Sequence, residues 1–163
     1  VGSVGDGWKV AMGTLAFERG VLTLGQQMAF QRELDEIIET ARNNGRIDDP
    51  IIRQKLVGLW VRLRMMRTNA IRTLSLASAQ LGREAMIGKL YWAKLHQEMG
   101  EVAMDVLGAD AMIIADRYDS HEPLDALHRL FMFTRSDTIY GGSDQIQRNV
   151  IGERALGLPR EPR

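Results

Sequence analysis

The stretch "PIIRQKLVGLWVRLRMMRTNA", residues 50–70, decides the fold. Its apolar residues Ile52, Leu56, Leu59, Leu63, Met66 and Ala70 follow one another in alternating steps of four and three. That spacing keeps one stripe of a helix turned toward a partner by knobs-into-holes packing. The rest of the surface carries Arg53, Arg62, Arg64 and Arg67, as a solvated face would. Asp49 followed by Pro50 marks the start, an N-cap and then a proline at the first helical position. The helix is expected to end near Gly82. The Met65–Met66 pair reads as core filler.

The neighbouring segments keep the same period. Upstream, a helix is expected from about Asp6 to Asn43, stopped at "NNGR" by a left-handed Gly45. Downstream, Ile87, Leu90, Tyr91, Leu95, Met99, Val102 and Val106 form one stripe on a helix from Glu84 to Leu107, which stops at Gly108. A helix from Glu122 to Ser136, a Gly141–Gly142 joint and a last helix from Ser143 to Leu156 complete the chain. No stretch alternates like a strand. The expectation is an all-α fold, an up-and-down four-helix bundle with an additional short C-terminal helix, forming one domain over residues 1–163. The seam on residues 52–70 is also compatible with packing between subunits. The glycine-rich opening "VGSVGDGW", beginning on Val1, reads as a chain cut from something larger.

Composition excludes several function classes. The chain has 163 residues, 45% apolar and 26% charged, which is a globular balance. Lys plus Arg and Asp plus Glu number 21 each, so no long-range field recruits nucleic acid. Between Val10 and Gln31 the only charges are Glu18 and Arg19, but with Gln26, Gln27 and Gln31 they make this a buried protein helix, with no membrane insertion. There is no cysteine, and His96, His121 and His128 lack zinc-ligand spacing, so no metal site is expected. No secretory signal is visible, and a cytoplasmic location is the expectation.

The second informative stretch is "IYGGSDQIQRNVIGER", residues 139–154. Glycines before a helix let an anion approach its unpaired N–H groups, and Ser143 adds a hydroxyl. A phosphate site and a plain glycine turn with a serine cap both fit, since Asp144 can satisfy the helix dipole by itself. The following run is amphipathic in Ile146, Val150 and Ile151.

Extended to "LGLPR", this stretch resembles the C-terminal signature of acyl-CoA dehydrogenases, flavoproteins that desaturate acyl-CoA thioesters. The opening "VGDGWKVAMGTLAFERG" is similar to that family's passage from its β-domain into the first helix of its last domain. The resemblance implies the C-terminal helical domain, with the family's helical N-terminal and middle β-domains absent from this chain. It implies FAD as cofactor, an acyl-CoA substrate, electron-transfer flavoprotein or a similar acceptor, and a homo- or hetero-tetramer assembled through the bundle.

The resemblance also assigns residues. Gly141 stands where many members carry the glutamate base, and glycine cannot accept a proton. A subset resembling the isovaleryl- and long-chain enzymes carries the base on the first helix, in a Leu-x-x-Glu-Arg context that "LAFERG" matches. Glu18 is then the catalytic base and Arg19 its supporting arginine. The helical neighbours of Glu18, namely Thr14, Leu15, Val21 and Leu22, offer no ion pair, and burial would raise its pKa toward the range that proton abstraction needs. Ser143 and Gln145 match positions contacting FAD phosphate and ribose, with Gly142 in the same joint. Tyr140 falls near the flavin or thioester.

Gly108 matches the first glycine of a Gln-x-x-Gly-Gly-x-Gly loop that reaches a neighbouring subunit's FAD, although Asp105, Ala109 and Ala111 replace the other motif residues. The family's Arg-x-x-Phe-Gly motif is missing around "ARNNGRIDDP", and Gln54 matches a flavin-contacting glutamine just after it. These departures keep an alternative open: a non-catalytic partner subunit or helical oligomerisation module of the same fold. A homologue that uses oxygen as acceptor is a third reading.

Overall fold

The computed structural model describes residues 2–13, 23–75, 83–113 and 125–160. Among these no strand occurs, and five longer helices carry the architecture: α1 (Thr23–Asn43), α2 (Pro50–Ser75), α3 (Gly88–Leu107), α4 (Ala126–Thr134) and α5 (Asp144–Val150). A short helical run at 7–13 precedes them. Helices α1 to α4 form the expected all-α bundle, with α3 packed against the other three and α5 added at its N-terminal end.

The seam on α2 is fully used. Its six residues, Ile52, Leu56, Leu59, Leu63, Met66 and Ala70, are all 8% exposed or less. The first five meet Phe30, Leu34, Ile37 and Ala41 of α1 and Leu95, Met99, Val102 and Val106 of α3, with Leu127 and Leu130 of α4 closing the core. Each of the larger of these side chains, Val, Leu, Ile, Phe or Met, contributes about 1.5–3 kcal/mol on withdrawal from water. Expected packing of this seam between subunits is therefore corrected, because the seam is spent inside the chain. Among the described residues an apolar surface remains exposed on the opposite face of α2, where Trp60 is 45% and Met65 57% exposed and Val61, Ile71 and Leu74 are also exposed. Met66 is core filler, and Met65 is not.

Local signals set most boundaries. Gly45 has φ +76°, the left-handed stop expected after α1. Asp49 Oδ1 accepts from the Ile51 N–H at 2.8 Å and lies 3.5 Å from the Ile52 N–H, capping α2. Gly108, at φ +64°, ends α3. Three boundaries depart from expectation. The helix before Leu107 is broken at Ile87, which separates a turn at Arg83–Met86 from α3 and leaves Ile87 43% exposed, outside the stripe. Helix α4 begins at Ala126, because Asp125 takes the Leu127 N–H at 2.9 Å, and gives way to a tight turn at Ser136–Thr138. The last helix widens after α5 into a π turn, Ile151–Ala155.

One glycine sets a close helix approach. A Cβ on Gly100 of α3 would lie 2.6 Å from Thr134 Oγ1 and 3.1 Å from the Phe131 Cα of α4. Among the described residues no helix is long and apolar enough to cross a membrane, and no cluster of side chains could hold a metal ion.

Candidate functional site at the glycine joint

The chain between α4 and α5 turns through two left-handed glycines, Gly141 at φ +66° and Gly142 at φ +99°. A β-carbon at Gly142 would fall 2.8 Å from Gln147 Nε2, so that amide sits where a side chain would go. Gln147, 1% exposed, donates from Nε2 to the Gly141 carbonyl at 2.8 Å. The joint is therefore clamped rather than loose. It also shifts the face of α5: the buried residue is Gln147, while Ile146 is 52% exposed, contrary to the amphipathic pattern expected from Ile146.

Upstream of the glycines, Tyr140 is tied down through its hydroxyl. The ring is 47% exposed, but its OH donates to Asp137 Oδ1 at 2.8 Å. Asp137 is 0% exposed, and its other oxygen, Oδ2, lies 2.6 Å from His96 Nδ1. His96 Nε2 in turn lies 2.9 Å from Glu33 Oε2 of α1. Both ring nitrogens thus face carboxylate oxygens, an arrangement that calls for two N–H donors and so for the imidazolium form. Phe30 stacks on the ring at 4.0 Å. Burial lowers the His96 pKa, but hydrogen bonds and charge from Asp137 and Glu33 outweigh it and leave the group raised to about 8.

Two cations complete the electrostatics. Lys89 donates to the Asp137 backbone carbonyl and lies over the rings of Trp92 and Tyr140, at 4.7 and 5.5 Å from their centroids. Burial pulls its pKa below the ordinary lysine value, against the charges of Asp137 and Asp144. Lys94 pairs with Asp144 at 2.8 Å. For Tyr140, burial of the hydroxyl end and the bond to Asp137 push the phenol well above its ordinary value, so it is a donor and no base.

The expected site residues fall into two groups. Tyr140, Gly142, Ser143 and Gln145 come together at the joint, beside the N-terminal end of α3. Gly108 ends α3, and Gln54 adjoins Lys55, which pairs with Asp105 at 2.7 Å at that same far end. Lys89 and Asp105 are separated along α3 by about 24 Å. One chain therefore does not bring Gly108 and Gln54 to its own glycine joint. Glu18 and Arg19 lie outside the described residues. Glu33, Lys89, His96 and Asp137 were not singled out from sequence; the one available signal was a histidine beside Leu95 on the apolar stripe of α3.

The joint fits a phosphate- and hydroxyl-bearing group. The Ser143 hydroxyl makes no cap bond to α5, Gln145 is exposed, and Lys94 offsets the Asp144 carboxylate. A separate cavity of about 200 Å³ opens between α1, α2 and α3, lined by Gln27, Met66, Ala70, Leu74, Tyr91 and Trp92. Gln27 is 6% exposed, and its Nε2 finds no hydrogen-bond partner among the described residues.

Residues 5–156 match the model of the acyl-CoA dehydrogenase C-terminal domain, and the chain belongs to that family. It is 50% identical over 161 residues to the acyl-CoA dehydrogenase IpdE1 of Mycobacterium tuberculosis, covering 99% of this chain and 40% of that protein. IpdE1 of Mycolicibacterium smegmatis is also 50% identical, with 99% and 39% covered. Among solved structures, the Tcur3481-Tcur3483 steroid ACAD superimposes with a TM-score of 0.82 at 24% identity, covering 99% of this chain and 42% of that one. The ChsE4-ChsE5 complex from Mycobacterium tuberculosis gives 0.74 at 25% identity, with 95% and 42% covered. The chain thus spans about two fifths of the length of these two curated relatives, and both solved neighbours are named as two-component assemblies.

Proposed function

We propose that this chain is the C-terminal domain of a flavin-dependent acyl-CoA dehydrogenase that desaturates an acyl-CoA thioester, with Glu18 as the base that removes the α-proton. The observation that carries the reading is the supply of carboxylates around the joint. Gly141 has no side chain, Asp137 is buried and bonded to His96 and Tyr140, Glu33 is bonded to His96, and Asp144 is paired with Lys94. Tyr140 holds its proton. Each of these groups is already engaged by a partner, which supports a base supplied by another segment, and Glu18 matches the family's first-helix position. Arg19 beside it would support its geometry.

When bound, FAD supplies the hydride acceptor. The residues of this chain that would hold it are Ser143 and Gln145 at the joint, with Tyr140 against the flavin or thioester. Gly108 and Gln54, at the far end of α3, would serve the FAD of a second subunit. The exposed apolar face of α2 supports assembly into a tetramer, and the two-component neighbours favour a hetero-oligomer. A thioester bound with its α-carbon against a positioned carboxylate gains from general-base catalysis on the order of 10²–10⁴-fold.

The test is Glu18→Gln in the complete protein. Loss of flavin bleaching by acyl-CoA with FAD still bound is expected, and unchanged reduction kinetics would remove Glu18 from the mechanism. The scaffold reading, a flavin-free partner subunit, rests on the eroded motif at Asp105, Ala109 and Ala111. A colourless complete protein that FAD cannot reconstitute would favour it.

A further inference from the structure

We infer that Asp137, held by His96 and through it by Glu33, is a positioning carboxylate that fixes the Tyr140 hydroxyl and thereby the path of the chain into the Gly141–Gly142 joint. The flavin-site reading gives Tyr140 a place beside the cofactor but gives Asp137, His96 and Glu33 none. The inference rests on the flavin-site reading of the joint only for its catalytic consequence. Its structural content stands on geometry alone.

A carboxylate that is 0% exposed is costly unless each oxygen is satisfied. Asp137 meets that demand with two donors from different parts of the fold. Oδ1 takes the Tyr140 hydroxyl at 2.8 Å, and Oδ2 takes His96 Nδ1 at 2.6 Å. The second contact joins an imidazolium to a carboxylate, the charge-assisted kind of hydrogen bond. His96 is itself immobilised, between Glu33 at 2.9 Å and the stacked Phe30 ring. The chain of bonds Glu33–His96–Asp137–Tyr140 therefore ties α1 and α3 to the residue just before the joint. Lys89 adds a third attachment at the Asp137 carbonyl.

The tyrosine needs such a tether. With the ring 47% exposed, a phenol bonded to nothing would sample several rotamers. Two left-handed glycines immediately follow, and glycine surrenders more backbone freedom on ordering than any other residue. The bond to Asp137 on one side and the Gln147 bond to the Gly141 carbonyl on the other restrict both ends of this short segment. A pre-set joint binds without first paying for its own ordering. In the reaction proposed above, His96 is a positioning residue that acts through Asp137 and Tyr140 and does not touch the substrate.

The test compares His96→Gln, Asp137→Asn and Tyr140→Phe in the complete protein by amide hydrogen exchange, which needs neither cofactor nor substrate. Exchange in the segment 138–146 is expected to quicken about tenfold or more in each variant, while residues 52–66 of α2 stay protected. Tyr140→Phe removes only a hydroxyl, so it keeps the comparison valid if a core variant fails to fold. Unchanged exchange at 138–146 in Tyr140→Phe would overturn the inference, whatever the outcome for Glu18. In the flavin-loaded protein, His96→Gln and Tyr140→Phe should each slow flavin reduction with little change in thioester KM. The double variant should be no slower than the worse single one, because both break the same chain. Fully additive losses would overturn the claim that His96 acts through Tyr140. Loss of bleaching in Glu18→Gln together with unchanged exchange at 138–146 in Tyr140→Phe would leave the proposed function standing and remove this inference alone.

Discussion

Gln147 reaches back across the glycine joint and donates to the Gly141 carbonyl at 2.8 Å, occupying the space that a β-carbon on Gly142 would need. The two residues are therefore interdependent. Gly142→Ala would meet both a backbone at φ +99° and the displaced amide, and backbone strain of this kind costs on the order of 1–3 kcal/mol. Gln147→Leu would leave the Gly141 carbonyl without its donor, at about 1–3 kcal/mol if it stays dry. Both should lower the thermal midpoint of the complete protein and, if the joint holds flavin as proposed, weaken flavin retention. A Gly142→Ala protein with the parent's midpoint would contradict the clamp.

Gly100 and Gly58 make opposite predictions. At Gly100 an added methyl would meet Thr134 Oγ1 and the Phe131 backbone of α4, so Gly100→Ala should destabilise by about 1–3 kcal/mol through overpacking. At Gly58, inside α2, nothing lies within 4 Å of the new β-carbon, and Gly58→Ala should stabilise by up to about 1 kcal/mol from helix propensity. Thermal or chemical unfolding of the two variants side by side decides the matter. Equal effects would mean that α3 and α4 do not approach as closely as described.

Stability should fall on the alkaline side of neutrality because of His96. Its pKa is about 8 in the folded chain and about 6.5 for a free side chain. The folded value is the higher one, so the imidazolium stabilises the fold fully below about pH 6.5 and loses that contribution as pH rises through about 8. The charges facing it are Glu33 from α1 and Asp137 from the turn after α4, with Lys89 and Tyr140 reaching it only through Asp137. A shift of this size is worth on the order of 2 kcal/mol. Unfolding midpoints between pH 6 and 9 should show the decline, and His96→Gln should flatten it. An equal decline in the variant would assign it to another group.

Gln27 carries a buried amide nitrogen with no partner among the described residues, at the wall of an apolar cavity. Replacing it with methionine, similar in length and without the amide, removes an unpaid desolvation. Gln27→Met should therefore be neutral or stabilising by about 1 kcal/mol. A clear loss of stability on chemical unfolding would show that the amide is bonded in the complete protein.

The bundle was legible in the sequence because helix packing is written at a fixed period. Ile52 through Ala70 repeat in steps of four and three, and that stripe became the buried face of α2 residue for residue. Asp49, Gly45 and Gly108 announced helix ends by backbone chemistry that acts within a few residues. The glycine joint was legible for the same local reason, and with its longer motif it pointed to the acyl-CoA dehydrogenases.

What tertiary structure decided was pairing across long separations. Glu33, His96 and Asp137 stand 63 and 41 residues apart along the chain. No periodicity or motif links them, because the contact exists only once α1, α3 and the turn after α4 pack together. The same holds for Gln147, which reads as a solvated residue of an amphipathic helix until the joint folds back and places its amide against Gly141. Local preferences act over one or two helical turns and could be read in order. A buried charge must find its partners wherever the packed chain brings them, and that depends on the whole bundle at once.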